Sequence, residues 1–236
     1  GFDSAVAESV HFIENITTTV RSHSRCFVIE LMGRHAGWVA LYAGIAGGAD
    51  IVVLPEEEVS IKQFLGRVKK TMEYQGYCIA VVSEGARLFD NKYPETLNNE
   101  NKQYVDAMLN DADPKFAIVK ALDAMPKKKD SFGNVQLGGI GEYFYALLRK
   151  HIPEHEYRLQ VCGHAIRGGE AHVNDRILGL RFGDAIFDFM LEGKFGMYPG
   201  IKADKIVANK LTEVKGERFI PQDDQLYKMR NEVDFF

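Results

Sequence analysis

The sequence holds little of what several common functions require. It has three cysteines in 236 residues, an odd number with no zinc-type spacing, so neither a disulfide framework nor a cysteine metal site is expected. Cys26, Cys78 and Cys162 each fall in or beside an apolar stretch and read as small buried hydrophobes of a reducing compartment. No apolar run approaches the roughly 18 residues of a membrane span, and the opening GFDSAVAESV lacks the basic-then-apolar layout of a secretory signal. A cytoplasmic location with no membrane partner is the expectation. An excess of positive charge is also lacking: the formal net charge is −4 at pH 7, which argues against nucleic-acid binding driven by bulk charge. No internal repeat, Walker phosphate loop or nucleophile elbow occurs.

What is present is ordinary globular material, 46% hydrophobic and 26% charged. The rest of the chain is organised around the stretch from Arg25 to Pro55. Cys26 to Leu31 reads as an apolar strand buried on both faces of a parallel sheet. Gly33, Arg34, His35, Ala36 and Gly37 then break the pattern, and Trp38 to Ala46 reads as an Ala-rich helix. A loop between a strand's carboxyl end and a helix N-terminus offers free N–H groups to an anion, and Arg34 adds a fork of donors. The loop therefore suits a phosphate, although glycines that merely make the turn, with Arg34 facing solvent, fit these residues equally.

Ahead of this stretch, Asp3 or Ser4 can cap a helix running to about Val20 with an apolar stripe of Val6, Val10 and Ile13. After it, Ile51 to Leu54 reads as a strand stopped by Pro55, Ile61 to Met72 as a helix, and Cys78 to Ser83 as a strand. At the end of the last stands Glu84, placed to meet a ligand, to cap the next element or to face water. Residues 86–134 carry weak signals, with a possible helix at Phe116 to Ala124 and a basic run at Lys127, Lys128 and Lys129, and read as an insertion or lid. Gly138, Gly139 and Gly141 introduce a helix from Glu142 to Lys150; helix entry is enough to explain them, and an anion is the alternative.

Tyr157 to Cys162 reads as a further strand, followed by a second charged constellation from Gly163 to Arg176. Arg167 and Arg176 lie nine residues apart with Gly168 and Gly169 between them. That spacing puts one on a loop and the other at the start of a helix, where two guanidinium forks can converge on one phosphate. Asp175 suits a cap or an arginine partner. Lys205 to Leu211 reads as an edge-like strand and Gln222 to Val233 as a polar terminal helix.

Several strings in this order resemble the phosphofructokinase family. GFDSA is similar to the family's GFDTA, ELMGRHAGW to its MGRHAG loop, and VVSEGA to the strand that ends in its sugar-contacting glutamate. GHAIRGGEAHVNDR is similar to GHxQRGGxPxxxDR with identical arginine spacing. The resemblance implies an α/β fold, a three-layer Rossmann-like parallel sheet with elements returning to a first domain. It divides the chain into a fructose 6-phosphate-binding unit over 1–175 and a segment over 176–236 that returns to the donor-binding domain.

The site residues follow from the same resemblance. Met32, Gly33 and Arg34 would form the loop that holds fructose 6-phosphate, with Arg34 the catalytic cation. Glu84 would accept hydrogen bonds from the sugar hydroxyls, and Arg176 would bind the 6-phosphate. Arg25 and Arg167 would reach that phosphate from a neighbouring subunit, which requires a homo-oligomer, dimer or tetramer. The family's histidine position three residues before the last arginine is Val173 here, with His172 beside it, and both are expected near the phosphate.

Two strings of the family are absent. Neither the Gly-Gly-Asp motif that holds the donor nor the Thr-Ile-Asp-Asn-Asp segment that carries the base occurs. The chain is therefore expected to be the carboxyl-terminal portion, inactive alone and completed by an amino-terminal portion or companion chain. ATP or pyrophosphate would be the donor, with Mg²⁺ held mainly by that portion. The other reading is a non-catalytic regulatory or structural subunit of such an assembly.

Overall fold

Strand β1 (Arg25–Leu31) runs through the middle of the protein because its alternate side chains find apolar partners on both sides. The computed structural model describes residues 1–86, 103, 106, 107, 110, 139–214 and 216–233. In chain order the elements are α1 (Phe2–Ser22), β1, α2 (Trp38–Ala46), β2 (Ile51–Val53), α3 (Ile61–Gln75), β3 (Cys78–Ser83), α4 (Ile140–His151), β4 (Glu156–Val161), α5 (Val173–Leu191), β5 (Met197–Lys202), β6 (Lys205–Lys210) and α6 (Gln225–Val233), with a short 3-10 helix at Gly163–Arg167. The first four strands form a parallel sheet in the order β2-β3-β1-β4.

The sheet divides two apolar layers. Cys26 and Val28 of β1 face Phe64, Val68, Phe144 and Leu147 of α3 and α4, while Ile29 and Leu31 face Ile13, Ala40 and Leu41 of α1 and α2. Buried β-branched strands covered on both sides are what a parallel sheet needs, so the α/β expectation holds. Helix α3 starts where the Ser60 hydroxyl accepts from Gln63 N–H and stops at Gly76, whose φ of 81° suits a residue without Cβ. All three cysteines are free and buried, and burial pushes the Cys162 thiol up to about 11.

Several boundaries differ from the sequence reading. Helix α1 begins before Asp3 and Ser4, which therefore do not cap it; their side chains hold the start of α5 instead. The apolar run of β1 contains Glu30, which is only 3% exposed. The strand read at Lys205 to Leu211 pairs with β5, which the reading missed, as an antiparallel hairpin. The helix read at Gln222 to Val233 forms over Gln225–Val233, and its Leu226 and Tyr227, with Ile220 ahead of it, pack into the layer of α1 and α2. The insertion at 86–134, the helix at Phe116 to Ala124 and the lysine run lie outside the described residues, apart from Ala86, Gln103, Asp106, Ala107 and Asn110.

Phe144 is fully buried with its ring centroid 4.5 Å from that of Phe64. Phe144→Ala is expected to lower the unfolding free energy by about 3–5 kcal/mol, measured by denaturant titration.

Candidate functional site

The carboxyl ends of β1, β3 and β4 open side by side. Glu84 N–H donates to Leu31 O at 2.8 Å, and Cys162 N–H donates to Glu30 O at 3.0 Å, so the segments that follow these three strands leave from one edge. The 32–37 loop leaves β1 there, and its near end is held by Glu84, whose Oε1 accepts from Gly33 N–H at 3.1 Å and Arg34 N–H at 2.8 Å. Arg34 takes a left-handed φ of 54°, uncommon outside glycine and sustained only where surroundings impose it. The next residue after Glu84 must be glycine, since a Cβ at Gly85 would stand 1.7 Å from Arg34 O.

A second carboxylate holds the loop's far end. Glu56, just past β2, accepts from Gly37 N–H at 2.9 Å through Oε1 and at 3.2 Å through Oε2. A third lies beneath. Glu30 Oε2 accepts from Gly141 N–H at 2.8 Å at the start of α4, and Gly141 has no room for a side chain because a Cβ would lie 2.9 Å from that oxygen. Burial pushes the Glu30 carboxyl above its ordinary 4.5, opposed by the amides of Gly141 and Gly139.

This corrects the expectation that the glycine-rich loop offers free N–H groups to a substrate anion. The donors of Gly33, Arg34 and Gly37 go to the protein's own carboxylates. A helix N-terminus attracts the nearest anion; for α4 that anion is Glu30 of β1, and for α2 it is Glu56 in the turn past β2. Glu30 and Glu56 are the residues the sequence reading passed over. Their signals were a glutamate inside an apolar strand, where one is almost never buried unless partnered, and a glutamate at a strand end as Glu84 is.

Among the expected cations, Arg34 is exposed on the loop and Arg167 is exposed at the end of the 3-10 helix, both in segments leaving the same edge. Arg176 lies in the first turn of α5, donating from Nε to Ala171 O at 2.6 Å and from Nη2 to Glu170 Oε2 at 2.8 Å. Glu170 is 91% exposed, and such surface pairs contribute little, so a phosphate dianion can replace it. His172 caps α5, its Nδ1 accepting from Asn174 N–H at 3.3 Å, and exposed Val173 opens the helix. Met32 is half-buried against the layer of α1 and α2. Asp175 neither caps α5 nor, among the described residues, pairs with an arginine: it accepts from the main-chain N–H of Ser4 at 2.8 Å and from the Ser4 hydroxyl at 2.6 Å.

Arg25 does not join this group within one copy. It sits at the amino end of β1, with Nε donating to Glu156 Oε2 at 2.8 Å, the length of the strand, roughly 20 Å, from the loop.

The comparisons with known proteins fit this arrangement. The family model described as Phosphofructokinase matches residues 1–190. The chain belongs to the phosphofructokinase family. It is 36% identical over 217 residues to the pyrophosphate–fructose 6-phosphate 1-phosphotransferase of Amycolatopsis mediterranei, covering 92% of this chain and 55% of that protein. It is 31% identical over 217 residues to the ATP-dependent 6-phosphofructokinase 2 of Clostridium perfringens, covering 92% and 51% respectively. The chain thus spans about half the length of these curated relatives. In fold it is similar to the pyrophosphate-dependent phosphofructokinase of Marinobacter aquaeolei, with a TM-score of 0.69, 20% identity and coverage of 96% of this chain and 51% of that one.

Phosphofructokinase membership makes a divalent metal worth testing against the residues present. Among the described residues no group of three or more His, Cys, Asp or Glu could hold one, so no step below runs through a metal on this chain.

The buried Glu30 carboxyl gives a pH signature. Its folded pKa is raised, so its contribution to stability is present below pH 4.5 and lost as pH rises through the raised value. Glu30→Gln is expected to flatten that part of the stability profile, measured by denaturant midpoints across pH; an unchanged slope would show that the carboxyl does not titrate there.

Proposed function

We propose that the chain is the sugar-phosphate half, the carboxyl-terminal portion, of an enzyme that transfers a phosphoryl group to the 1-hydroxyl of fructose 6-phosphate. The carrying observation is that the Arg34 loop, clasped by Glu84, leaves the same sheet edge as the segment that leads to Arg176. Family membership and the relatives' named reactions support it.

In this reading Met32 and Gly33 form the wall of the sugar pocket. Glu84 steers Oε1 to the loop amides and Oε2 to a sugar hydroxyl. Arg176, with His172 and Val173 beside it, grips the 6-phosphate in a bidentate fork. Arg34 places its charge beside the phosphoryl group in flight; the transition state is loose and highly charged, so positioning and cations do most of the work. Arg25 and Arg167 serve the phosphate of a neighbouring protomer in a homo-oligomer, a role that suits Arg25's place at the opposite end of β1.

The donor, pyrophosphate or ATP, would arrive with Mg²⁺ on an amino-terminal portion or companion chain. Relatives of both donor types match, the pyrophosphate-named ones at 32–36% identity and an ATP-named one at 31%. The apolar face of α5 and the segment after it is where an amino-terminal portion or companion chain would pack. None of α5's residues is buried, and Leu180, Leu191 and Phe195 are more than 70% exposed, a patch of the kind that marks an interaction surface. Such an assembly would work in the cytoplasm.

A phosphotransfer assay on the completed assembly, run with each donor, tests the reading. Turnover with pyrophosphate or ATP is expected, and turnover with neither would leave the non-catalytic subunit. Within the enzyme, Arg34→Ala should lower kcat more than fructose 6-phosphate affinity. Arg176→Ala should weaken sugar-phosphate binding by about 2–5 kcal/mol, and an unchanged calorimetric affinity would contradict its role.

A further inference from the structure

We propose that Glu56 is a positioning residue for the Arg34 loop, and that through it the C-terminal segment 217–220 sets how that loop stands. The proposal deepens the sugar-phosphate reading and rests on it for its effect on ligand binding.

Glu56 Oε1 accepts two main-chain N–H groups from distant parts of the chain: Gly37 at 2.9 Å and Ile220 at 3.1 Å. One carboxylate therefore joins the loop's last residue to the C-terminal segment. Two neighbouring contacts repeat the connection. Trp38 donates Nε1–H to Arg218 O at 2.7 Å with the Arg218 guanidinium 5.6 Å from the indole centroid, and His35 Nε2 lies 3.9 Å from Glu217 Oε1. Residues 35 and 37 of the loop and Trp38 at the start of α2 thus meet 217, 220 and 218 in turn.

The segment is itself anchored. Ile220 is only 4% exposed, and α6 behind it reaches residue 57, where Tyr227 Oη donates to Glu57 Oε2 at 3.0 Å and Arg230 Nη2 at 2.8 Å. Adjacent glutamates 56 and 57 therefore fasten the segment and the helix after it. The loop has a glycine at each end, so the left-handed Arg34 keeps its direction only if both ends are fixed. Glu84 fixes one and Glu56 the other. A larger residue at Gly37 would disturb this joint, since a Cβ there would lie 2.6 Å from Leu54 Cδ2 and 2.8 Å from Glu56 Oε2, and one or both would have to shift.

Trp38 is the chain's one tryptophan, so its emission reports this joint directly. The experiment compares the chain with Glu56→Ala, Glu56→Gln and Tyr157→Phe. The last, on β4 away from the loop, removes the Tyr157 hydroxyl's hydrogen bond to Ile152 O and serves as a stability control. Glu56→Ala is expected to shift Trp38 emission to longer wavelength, raise its quenching by iodide and weaken fructose 6-phosphate binding about tenfold. Glu56→Gln, which keeps an acceptor oxygen, should restore most of both, and Tyr157→Phe should change neither. If Glu56→Ala fails to fold, Glu56→Asp, which withdraws the carboxylate by one methylene, is expected to move both readouts the same way. Unchanged Trp38 emission and quenching in the Ala variant, or in the Asp variant where that replaces it, overturns the proposal, as does an affinity loss no larger than in Tyr157→Phe. Absence of fructose 6-phosphate binding in the unsubstituted chain would instead count against the sugar-phosphate reading, and the Trp38 comparison alone would then decide the part played by Glu56.

Discussion

Carboxylates that accept main-chain N–H groups hold the carboxyl edge of this sheet in shape. Burying a carboxylate is unfavourable unless its oxygens are hydrogen-bonded, and an amide at a loop or helix start is equally unfavourable if left without an acceptor. Glu30, Glu56 and Glu84 satisfy both demands together, at distances between 2.8 and 3.2 Å. The glycines at 37, 85 and 141 follow from this arrangement, because a Cβ at any of them would meet one of these carboxylates or the backbone they hold.

That arrangement divides the labour at the site. With the amides of Gly33, Arg34 and Gly37 engaged by the protein itself, the donors this edge presents to solvent are guanidinium side chains. Arg34, Arg167 and Arg176 are exposed in segments leaving this edge. The loop thus sets a permanently charged head on a backbone fixed by carboxylates. The weak surface pair of Arg176 with Glu170 keeps that guanidinium oriented without binding it tightly.

Much of the fold was legible because the physics is local. Helix α2 and strand β3 fall on the residues that periodicity assigned, since an Ala-rich run and a buried β-branched run have few other solutions. The charged loop after β4 and the placement of Arg176 in a helix's first turn were also readable from glycine punctuation. The carboxylate clamps were not. Glu30 with Gly141 and Glu56 with Gly37 and Ile220 are separated by 111, 19 and 164 positions, and no local pattern announces a partner that far along the chain. The same holds for Asp175, whose partner Ser4 lies at the other end of the sequence, and for the docking of Ile220 and Tyr227 on the layer of α1 and α2.

Amide hydrogen exchange at Gly33 and Arg34 tests the clamp itself, without ligand or turnover. Both lie in a loop at the protein's surface, where unbonded amides exchange quickly. The account predicts that they exchange only with the opening of the core, as slowly as amides of β1. Exchange at the rate of an unprotected loop would contradict it, and the fixed platform beneath Arg34 would not exist.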